Sequence, residues 1–207
     1  MEFLLLGVNY PIWKRFSDIF GAILGLVLIL PLLPFIAAAI KLEDKGPVFV
    51  KLPRVSDGKE ILVYKFRSMV LGAREQKKNL LSLNERKDGP FFKIRKDPRI
   101  TRTGRLLRKF RVDEFPQLLN VLKGELSLVG PRPHEPEEII HYPDKYKHLP
   151  QARAGVTGLS QISGASSLPF LRELEFDDFY TKHISLWMDV KILFKTFLIL
   201  FFDPTAV

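Results

Sequence analysis

The sequence predicts an α/β protein, rich in helix and with a small β-hairpin, that follows a helix inserted in a membrane. Three observations support this fold class. The 207-residue chain has room for one ordinary domain and an appendage. Residues 19–40 carry no charged side chain. Later, short apolar runs alternate with turn signals. The predicted division is a membrane segment over residues 1–45 and a compact, membrane-associated domain over residues 46–207.

The uncharged run at residues 19–40 is long enough to enter a bilayer. As one α-helix it would extend about 33 Å, close to the thickness of the hydrocarbon core. Pro31 and Pro34 lack an amide hydrogen and clash with the preceding turn, so the helix should bend there. Basic residues flank both ends of the run, which gives no preference for translocating either end. Two alternatives stay open, a kinked spanning helix and a re-entrant helix that enters one leaflet and returns.

A hairpin is the first element expected after the membrane segment. Residues 61–66 are apolar and β-prone, and the turn signal Ser56-Asp57-Gly58 precedes them. They should therefore form the second strand of a hairpin that begins near Val48.

Four helices are expected after the hairpin. One should cover residues 73–78, and another should begin with Thr103 as its N-cap. A third should extend over residues 113–124, with the glycine at its end as the stop. Residues 186–202 should form an amphipathic helix in the headgroup layer, and a core helix is the alternative.

The charge balance indicates an anionic partner, and the cysteine count excludes thiol chemistry. The formal net charge of +9 favours nucleic acid, a phosphorylated small molecule or an acidic lipid as partner. The chain contains no cysteine, so disulfides, thiolate nucleophiles and cysteine metal sites are excluded.

Almost all of the excess charge lies between residues 93 and 111, which include nine basic residues and one acid. The arginines at every third position of this run are Arg99, Arg102, Arg105, Arg108 and Arg111. Within a helix such residues spread around the circumference, so they cannot all bind one ligand. The pattern is typical of a solvated face or of one that binds anionic headgroups, with one or two arginines as phosphate clamps.

Two adjacent acids, Asp113 and Glu114, are candidates for catalysis. Pro116 suits the first turn of a helix, and at such an end both carboxylates can turn toward one ligand. The helix dipole there attracts phosphate and should keep the carboxylates ionised. Two carboxylates facing a diphosphate repel it unless a divalent cation lies between them, and Mg²⁺ suits this donor set. A Mg²⁺–diphosphate site is therefore consistent with the pattern, and acids that only complement the dipole are the alternative.

Other charged residues have distinct environments. Two prolines fix the backbone around Arg132 in the segment Gly130-Pro131-Arg132-Pro133, which suits a fixed contact with an anion. A rigid surface turn with an incidental arginine is the alternative. Asp189 is the sole acid of the apolar C-terminal segment, and we expect it to pair with an arginine. Asp177 and Asp178 are expected at a helix start or on a solvated face.

Taken in order, these motifs resemble those of the bacterial monotopic phosphoglycosyl transferases, which initiate polyprenol-linked glycan assembly. The resemblance covers nearly the whole chain. The matching motifs are Lys14-Arg15 with Asp18, and residues 64–69 (YKFRSM), 113–118 (DEFPQL), 120–124 (NVLKG), 128–133 (LVGPRP) and 155–159 (GVTGL).

The resemblance implies transfer of sugar 1-phosphate from a UDP-sugar to polyprenyl (undecaprenyl) phosphate, with release of UMP. It implies that Asp113 is the nucleophile of a covalent phosphosugar intermediate and that Glu114 is associated with Mg²⁺. It also implies a re-entrant membrane helix broken at Pro31. The positions that resemble the family's phosphate-binding and supporting residues are Lys65, Arg108, Arg132 and Asp189.

The resemblance also implies a location and a set of partners. The location is the cytosolic face of the bacterial inner (cytoplasmic) membrane, and the partners are UDP-sugar, polyprenyl phosphate and membrane lipids, with no nucleic acid. The sugar, the pathway and the oligomeric state, a homodimer included, stay open. The alternative function is a non-catalytic, membrane-anchored protein whose basic run binds nucleic acid or acidic lipid. Asp113 and Glu114 would repel a nucleic acid there, which argues against it.

Three positions depart from the family pattern. Leu30 stands before Pro31 where members often have a serine, so a hydroxyl that could satisfy freed backbone carbonyls is missing. Ala154 replaces the proline of a common Arg-Pro-Gly sequence, and Ala165 stands where some members carry an arginine. We expect nucleotide or sugar contacts to differ there.

Overall fold

The computed structural model describes residues 10–164 and 167–202, so Ala165 lies outside the described residues. The helices are α1 Ile12–Ile29, α2 Leu33–Glu43, α3 Ala73–Gln76, α4 Arg102–Lys109, α5 Leu118–Lys123, α6 Pro136–Ile139, α7 Leu159–Ile162, α8 Phe170–Lys182 and α9 Leu186–Phe202. The strands are β1 Phe49–Ser56, β2 Lys59–Phe66, β3 Ser127–Val129 and β4 Gly155–Thr157. Short 3₁₀ turns cover Leu30–Leu32, Lys77–Leu83, Val112–Gln117, Asp144–Tyr146 and Leu149–Gln151. This helix-rich architecture with a small hairpin confirms the predicted fold class.

A 3₁₀ turn interrupts the α-helix at Pro31, where the bend is predicted, and the bend itself stays a prediction. The α-helical hydrogen bonds of α1 stop at Ile29, a 3₁₀ turn contains Pro31, and α2 resumes at Leu33. The break follows from the missing amide hydrogen of proline, and it forms although Leu30 supplies no hydroxyl. Together the two arms give one apolar stretch of 32 residues, Ile12–Glu43, which is long enough to cross a membrane.

Both arms of this helix pair bind the same domain. In α1, Arg15 donates a hydrogen bond to the carbonyl of Val121 at 2.6 Å. At the end of α2, Glu43 accepts hydrogen bonds from the backbone amides of Arg102 at 2.6 Å and Thr103 at 2.7 Å. Large apolar side chains on the other face of the pair expose half or more of their surface. They are Ile12, Phe16, Phe20, Ile23, Leu24, Val27, Leu28, Leu30, Leu32 and Phe35.

The predicted hairpin is confirmed. Strands β1 and β2 pair antiparallel, with Phe49 opposite Phe66 and Ser56 opposite Lys59. Asp57 and Gly58 form the turn, and both have positive φ. The base of the hairpin is attached to α5 through Asn120. Its side chain accepts from the Tyr64 amide at 3.0 Å and donates to the Leu62 carbonyl at 2.9 Å.

Two short parallel strands, β3 and β4, meet at a pair of glycines. A Cβ on Gly155 would lie 2.1 Å from the Gly130 amide nitrogen, and a Cβ on Gly130 would lie 2.6 Å from the Arg153 carbonyl oxygen. Only glycine fits either position. The close approach fixes the start of the segment that carries Arg132.

Three predicted helix bounds differ from the observed ones. Thr101, rather than Thr103, is the N-cap of α4, because its Oγ1 accepts from the Gly104 amide at 2.9 Å. The helix expected over residues 73–78 is α-helical only to Gln76 and continues as a 3₁₀ turn. The helix expected from Asp113 begins only at Leu118, because a 3₁₀ turn over Val112–Gln117 precedes it. Pro116 in that turn has no amide to donate to an α-helical bond.

Helix α9 combines the two alternatives predicted for the C-terminal segment. Ile192 is buried in the main core, and Met188 packs against that core. Trp187 and Phe194 on the other face are 67% and 64% exposed. The helix is therefore amphipathic, as predicted, and its inner face completes the core.

Candidate active site

The two candidate carboxylates lie where β2, α4 and the 3₁₀ turn before α5 meet. β2 supplies Lys65, whose Nζ lies 2.5 Å from Glu114 Oε1. α4 supplies Arg108, whose Nε donates to Ser68 Oγ at 2.9 Å. The positive charges of Lys65 and Arg108 both act on the Asp113 carboxylate. The structure thus brings together four of the residues that the sequence selected.

Asp113 is buried, with 6% of its surface exposed. In the part of the chain that the structure describes, no ion pair or side-chain hydrogen bond joins its carboxylate to another residue. Burial raises the pKa of Asp113 and the charge of Glu114 adds to this effect, while Lys65 and Arg108 oppose it. The expectation that a helix dipole keeps this carboxylate ionised stays a prediction, and burial acts against it by raising the pKa. The result is a basic carboxylate with free lone pairs.

Glu114 has the opposite electrostatics. Burial disfavours its charge, but the Lys65 ammonium more than offsets this, with help from Arg111 and Arg132, and the pKa of Glu114 falls below its ordinary value. About 30% of its side chain is exposed. The two neighbouring acids are therefore a buried, more basic one and a paired, more acidic one, which is the separation expected of acids with different roles.

Arg132 reaches the same site from the segment after β3. Its backbone amide donates to Asp177 Oδ2 at 3.1 Å, and its guanidinium Nη1 lies 3.4 Å from Glu173 Oε1. The side chain of Arg132 is 39% exposed, so part of it is accessible to a ligand. Its charge also helps to lower the pKa of Glu114, so it acts on the carboxylate pair electrostatically.

Two acids of α8 were missed by the sequence reasoning. Asp177 was expected on a solvated face or at a helix start, but it is 2% exposed and lies inside α8. Glu173, one turn earlier, is 1% exposed and bridges the guanidinium groups of Arg86 and Arg132. Burial raises the pKa of Asp177 to about 7, although Ser160 and the Arg132 amide donate hydrogen bonds to it. The spacing of Glu173, Asp177 and Tyr180 on one helical face was the available signal.

Asp189 lies in a different environment from the carboxylate pair. It pairs with Lys14 at 2.6 Å and accepts a hydrogen bond from the Tyr180 hydroxyl at 2.7 Å. The expectation of an arginine partner was wrong, because Lys14 of α1 occupies that place. Asp189 is 5% exposed, so it ties the membrane helix to the C-terminal helix. Its contact with a phosphate stays a prediction.

The arginines of the basic run lie in three different environments. This agrees with the prediction that residues at every third position cannot all bind one ligand. Arg99 is buried and bonds Asp97 with two nitrogens. Arg108 faces the carboxylate pair, whereas Arg102 and Arg105 are exposed. Arg111 precedes the 3₁₀ turn that carries the carboxylate pair and has a φ of 51°, a left-handed conformation that costs a non-glycine residue about 1 kcal/mol or more.

The next question is whether the side chains around Asp113 and Glu114 could hold a magnesium ion. No group of three or more histidine or acidic side chains that could hold a metal occurs among residues 10–164 and 167–202. Mg²⁺ is commonly held by one or two carboxylates and substrate phosphates, which does not require such a group. The free Asp113 carboxylate and the partly exposed Glu114 therefore fit a cation shared with a bound diphosphate.

Comparison with known proteins identifies the family. Residues 9–203 match the family model described as bacterial sugar transferase. The chain is 42% identical over 187 residues to the undecaprenyl-phosphate galactose phosphotransferase of Salmonella typhimurium, covering 88% of this chain and 39% of that protein. It is 37% identical over 203 residues to the UDP-glucose:undecaprenyl-phosphate glucose-1-phosphate transferase of Klebsiella pneumoniae, covering 92% and 40%.

A relative of similar length is an uncharacterized sugar transferase of Bacillus subtilis, 38% identical over 186 residues, with coverage of 89% of this chain and 85% of that protein. By contrast, the chain spans about two fifths of the length of the Salmonella and Klebsiella relatives. The family match extends over the membrane helix pair, the carboxylate site and α8 alike. The chain therefore belongs to the bacterial sugar transferase family.

Proposed function

We propose that this protein transfers sugar 1-phosphate from a UDP-sugar to polyprenyl phosphate and releases UMP. The observation that carries the proposal is the buried carboxylate of Asp113, which has free lone pairs, a raised pKa and the cations Lys65 and Arg108 beside it. A carboxylate of this kind is a workable nucleophile toward phosphorus. The substrates named for the Salmonella and Klebsiella relatives support the choice of a polyprenyl acceptor and a UDP-sugar donor.

The proposed reaction has two displacements. First, an Asp113 oxygen bonds to the phosphorus that carries the sugar, and the bond from that phosphorus to the bridging oxygen breaks, so UMP leaves with that oxygen. Second, a phosphate oxygen of the polyprenyl acceptor bonds to the same phosphorus, and the bond to Asp113 breaks. The products are polyprenyl diphosphate sugar and the free Asp113 carboxylate. Lys65, Arg108 and Arg132 stabilise the negative charge on the phosphate oxygens.

Asp113 and Glu114 are the residues that would hold Mg²⁺. When bound, Mg²⁺ supplies neutralisation of the diphosphate charge. The protein's own residues do the remaining work. The Lys65 ammonium keeps Glu114 ionised, and the Glu173 carboxylate holds the Arg132 guanidinium beside the pair.

We also propose that the helix pair is re-entrant and that the domain lies on the cytosolic face of the bacterial inner membrane. The support is geometric. A helix that crossed the bilayer would carry one end about 30 Å from the other. Here Arg15 near the start of α1 and Glu43 at the end of α2 both hydrogen bond to one domain. These bonds support placing both ends on one side of the membrane.

UMP release tests the proposed reaction. Detergent-solubilised protein receives Mg²⁺, polyprenyl phosphate and a panel of UDP-sugars in turn. We expect UMP release that requires the acceptor for multiple turnovers, depends on the sugar and stops in EDTA. No UMP with any donor from correctly folded protein would refute the reaction, and full turnover in EDTA would remove the metal.

Cysteine labelling tests the re-entrant geometry. The chain has no native cysteine, so Ile12→Cys and Lys45→Cys each create a unique site at one end of the helix pair. A membrane-impermeant maleimide should label both variants in inverted inner-membrane vesicles and neither in intact spheroplasts. Labelling of one variant from each side would establish a spanning helix instead.

A further inference from the structure

Helix α4 has three faces of different character. Its inner face is buried through Gly104 and Leu107. Exposed cations, Arg105 and Lys109, lie within about 40° of each other on the helical wheel. Two apolar side chains, Leu106 and Phe110, are 59% and 40% exposed and continue the outer face beside the cations. A cationic stripe next to exposed apolar residues is the pattern of a helix that lies at a membrane surface.

The position of α4 is set by the membrane helix. Glu43, the last residue of α2, caps α4 by accepting from the amides of Arg102 and Thr103. Deeper in the contact, Ile40 of α2 and Leu107 of α4 belong to the same buried cluster. The end of α2 is where the apolar run of the helix pair stops, so α4 begins at the depth where lipid tails give way to headgroups.

The charges of the exposed cations are not matched by acids of the protein. In the described part of the chain no ion pair holds Arg105 or Lys109, and Lys109 lies over the Phe110 ring at 5.6 Å. Arg102 differs, because it lies close enough to Glu43 to lower the pKa of that acid. The two uncompensated cations and their apolar neighbours are thus directed away from the domain, next to the inserted helix pair.

From this arrangement we infer that the outer face of α4 is a binding site for anionic phospholipid headgroups. Arg105 and Lys109 contact the lipid phosphates, while Leu106 and Phe110 enter the layer between headgroups and tails. Charge complementarity and continuity with the membrane helix select an anionic lipid as the occupant. The same helix carries Arg108 on its inner side, so lipid binding on one face sets the depth at which the carboxylate site meets the bilayer.

Native mass spectrometry of the full chain tests the inference without relying on catalysis. The protein is released from micelles that contain equal amounts of phosphatidylglycerol and phosphatidylcholine, and the bound lipids are counted. We expect phosphatidylglycerol adducts to exceed phosphatidylcholine adducts about tenfold, because each basic residue near a membrane surface contributes several-fold to the affinity for anionic lipid. The preference should weaken when the micelles are prepared at high salt.

Two charge-matched variants isolate α4. The double variant Arg105→Gln with Lys109→Gln should carry nearly equal numbers of phosphatidylglycerol and phosphatidylcholine adducts. Lys59→Gln with Lys78→Gln removes the same two charges from exposed positions outside α4 and should keep the preference. Equal adducts on the wild-type protein, or an unchanged preference in the α4 variant, would overturn the inference. Thermal unfolding of both variants confirms that each remains folded.

A second arm separates bulk lipid from the polyprenyl acceptor, which also presents a phosphate. Short-chain polyprenyl phosphate is added to the same micelles. We expect it to leave the phosphatidylglycerol adducts in place, because α4 faces the carboxylate site only with its inner side. Stoichiometric displacement would assign the lipid to the acceptor site and overturn the inference, whatever the outcome of the activity assays.

Discussion

Two pairs of acids lie beside arginines in this protein, Asp113 with Glu114 and Glu173 with Asp177, and they differ in what holds them. Glu173 and Asp177 on α8 are fixed by hydrogen bonds and ion pairs from Arg86, Arg132 and Ser160. Asp113 has cations nearby but no such bond. Glu173 Oε1 holds two guanidinium groups, although its Oε2 has no hydrogen-bond partner in the described part of the chain. A carboxylate committed to such partners positions its neighbours, whereas the Asp113 carboxylate has no ion pair among the residues that the structure describes and is free to react or bind a metal. We therefore predict chemistry at Asp113 and positioning of Arg132 by the α8 pair.

The largest expected effect is on the free carboxylate. Asp113→Asn removes the nucleophile while keeping its shape, so UMP release should fall by about 10³-fold or more. Stability should not fall, because the variant removes a buried group that resists ionisation. Single-turnover UMP release and thermal unfolding measure the two quantities. Wild-type turnover in this variant would end the assignment of Asp113 as nucleophile.

A smaller effect is expected at Glu173, which acts through Arg132. Glu173→Gln loses the ion pairs with Arg86 and Arg132, so the KM for the UDP-sugar should rise about tenfold with a much smaller change in kcat. Stability should fall by about 2 kcal/mol, the loss typical of a charged hydrogen bond. Glu175→Gln on the same helix, whose carboxylate pairs only with Arg172 at the surface, is the matched control. A drop in kcat with unchanged KM would contradict a positioning role.

The second α8 acid should show itself in the pH dependence of stability. The pKa of Asp177 is about 7 against an ordinary value of 3.8, so the folded protein binds this proton more tightly than the unfolded chain. The contribution of Asp177 to the free energy of unfolding is complete at low pH and is lost as the pH rises from about 4 to about 7. The stability difference between the wild type and Asp177→Asn should therefore decline across that interval.

Asp178, the next residue, provides a contrasting control for this titration. Its pKa is lowered, since the bonds from Lys182 and His148 outweigh the cost of burial. The stability difference between the wild type and Asp178→Asn should therefore change in the opposite direction. The wild type should be the more stable protein at neutral pH, and this difference should decline as the pH falls. Chemical denaturation at several pH values measures both. Parallel curves for the two variants would contradict the assignment.

The smallest effect concerns the backbone before the reactive pair. Arg111 has a φ of 51°, which glycine adopts without strain and alanine does not. Arg111→Gly and Arg111→Ala remove the same guanidinium, so their difference reports the strain. The glycine variant should be more stable than the alanine variant by about 1 kcal/mol in denaturant unfolding. Equal stability of the two would show that the turn relaxes.

Local patterns in the sequence were sufficient for the long apolar helix, the 3₁₀ interruption at Pro31 and the hairpin. Each depends on a few adjacent residues, such as the missing amide of Pro31 or the Asp57-Gly58 turn. The carboxylate pair was also found from the sequence, because its position after the basic run and its motif context were visible. The division into residues 1–45 and 46–207 stays a prediction.

The features that sequence reasoning missed depend on contacts between distant segments. Lys14 and Asp189 are 175 positions apart, so no local pattern identifies them as partners. The raised pKa of Asp113 depends on burial, which the fold determines. Asp177 looked like a surface acid because its partners, Ser160 and the Arg132 amide, come from other parts of the chain.

Mass spectrometry of the quenched enzyme tests the central assignment most directly. The protein is incubated with UDP-sugar and Mg²⁺ in the absence of acceptor, quenched in acid and digested. We predict an added mass equal to one sugar phosphate on the peptide containing Asp113, absent from Asp113→Asn and lost when polyprenyl phosphate is supplied. An unmodified Asp113 peptide under conditions that support turnover, or the same added mass on another residue, would contradict the account.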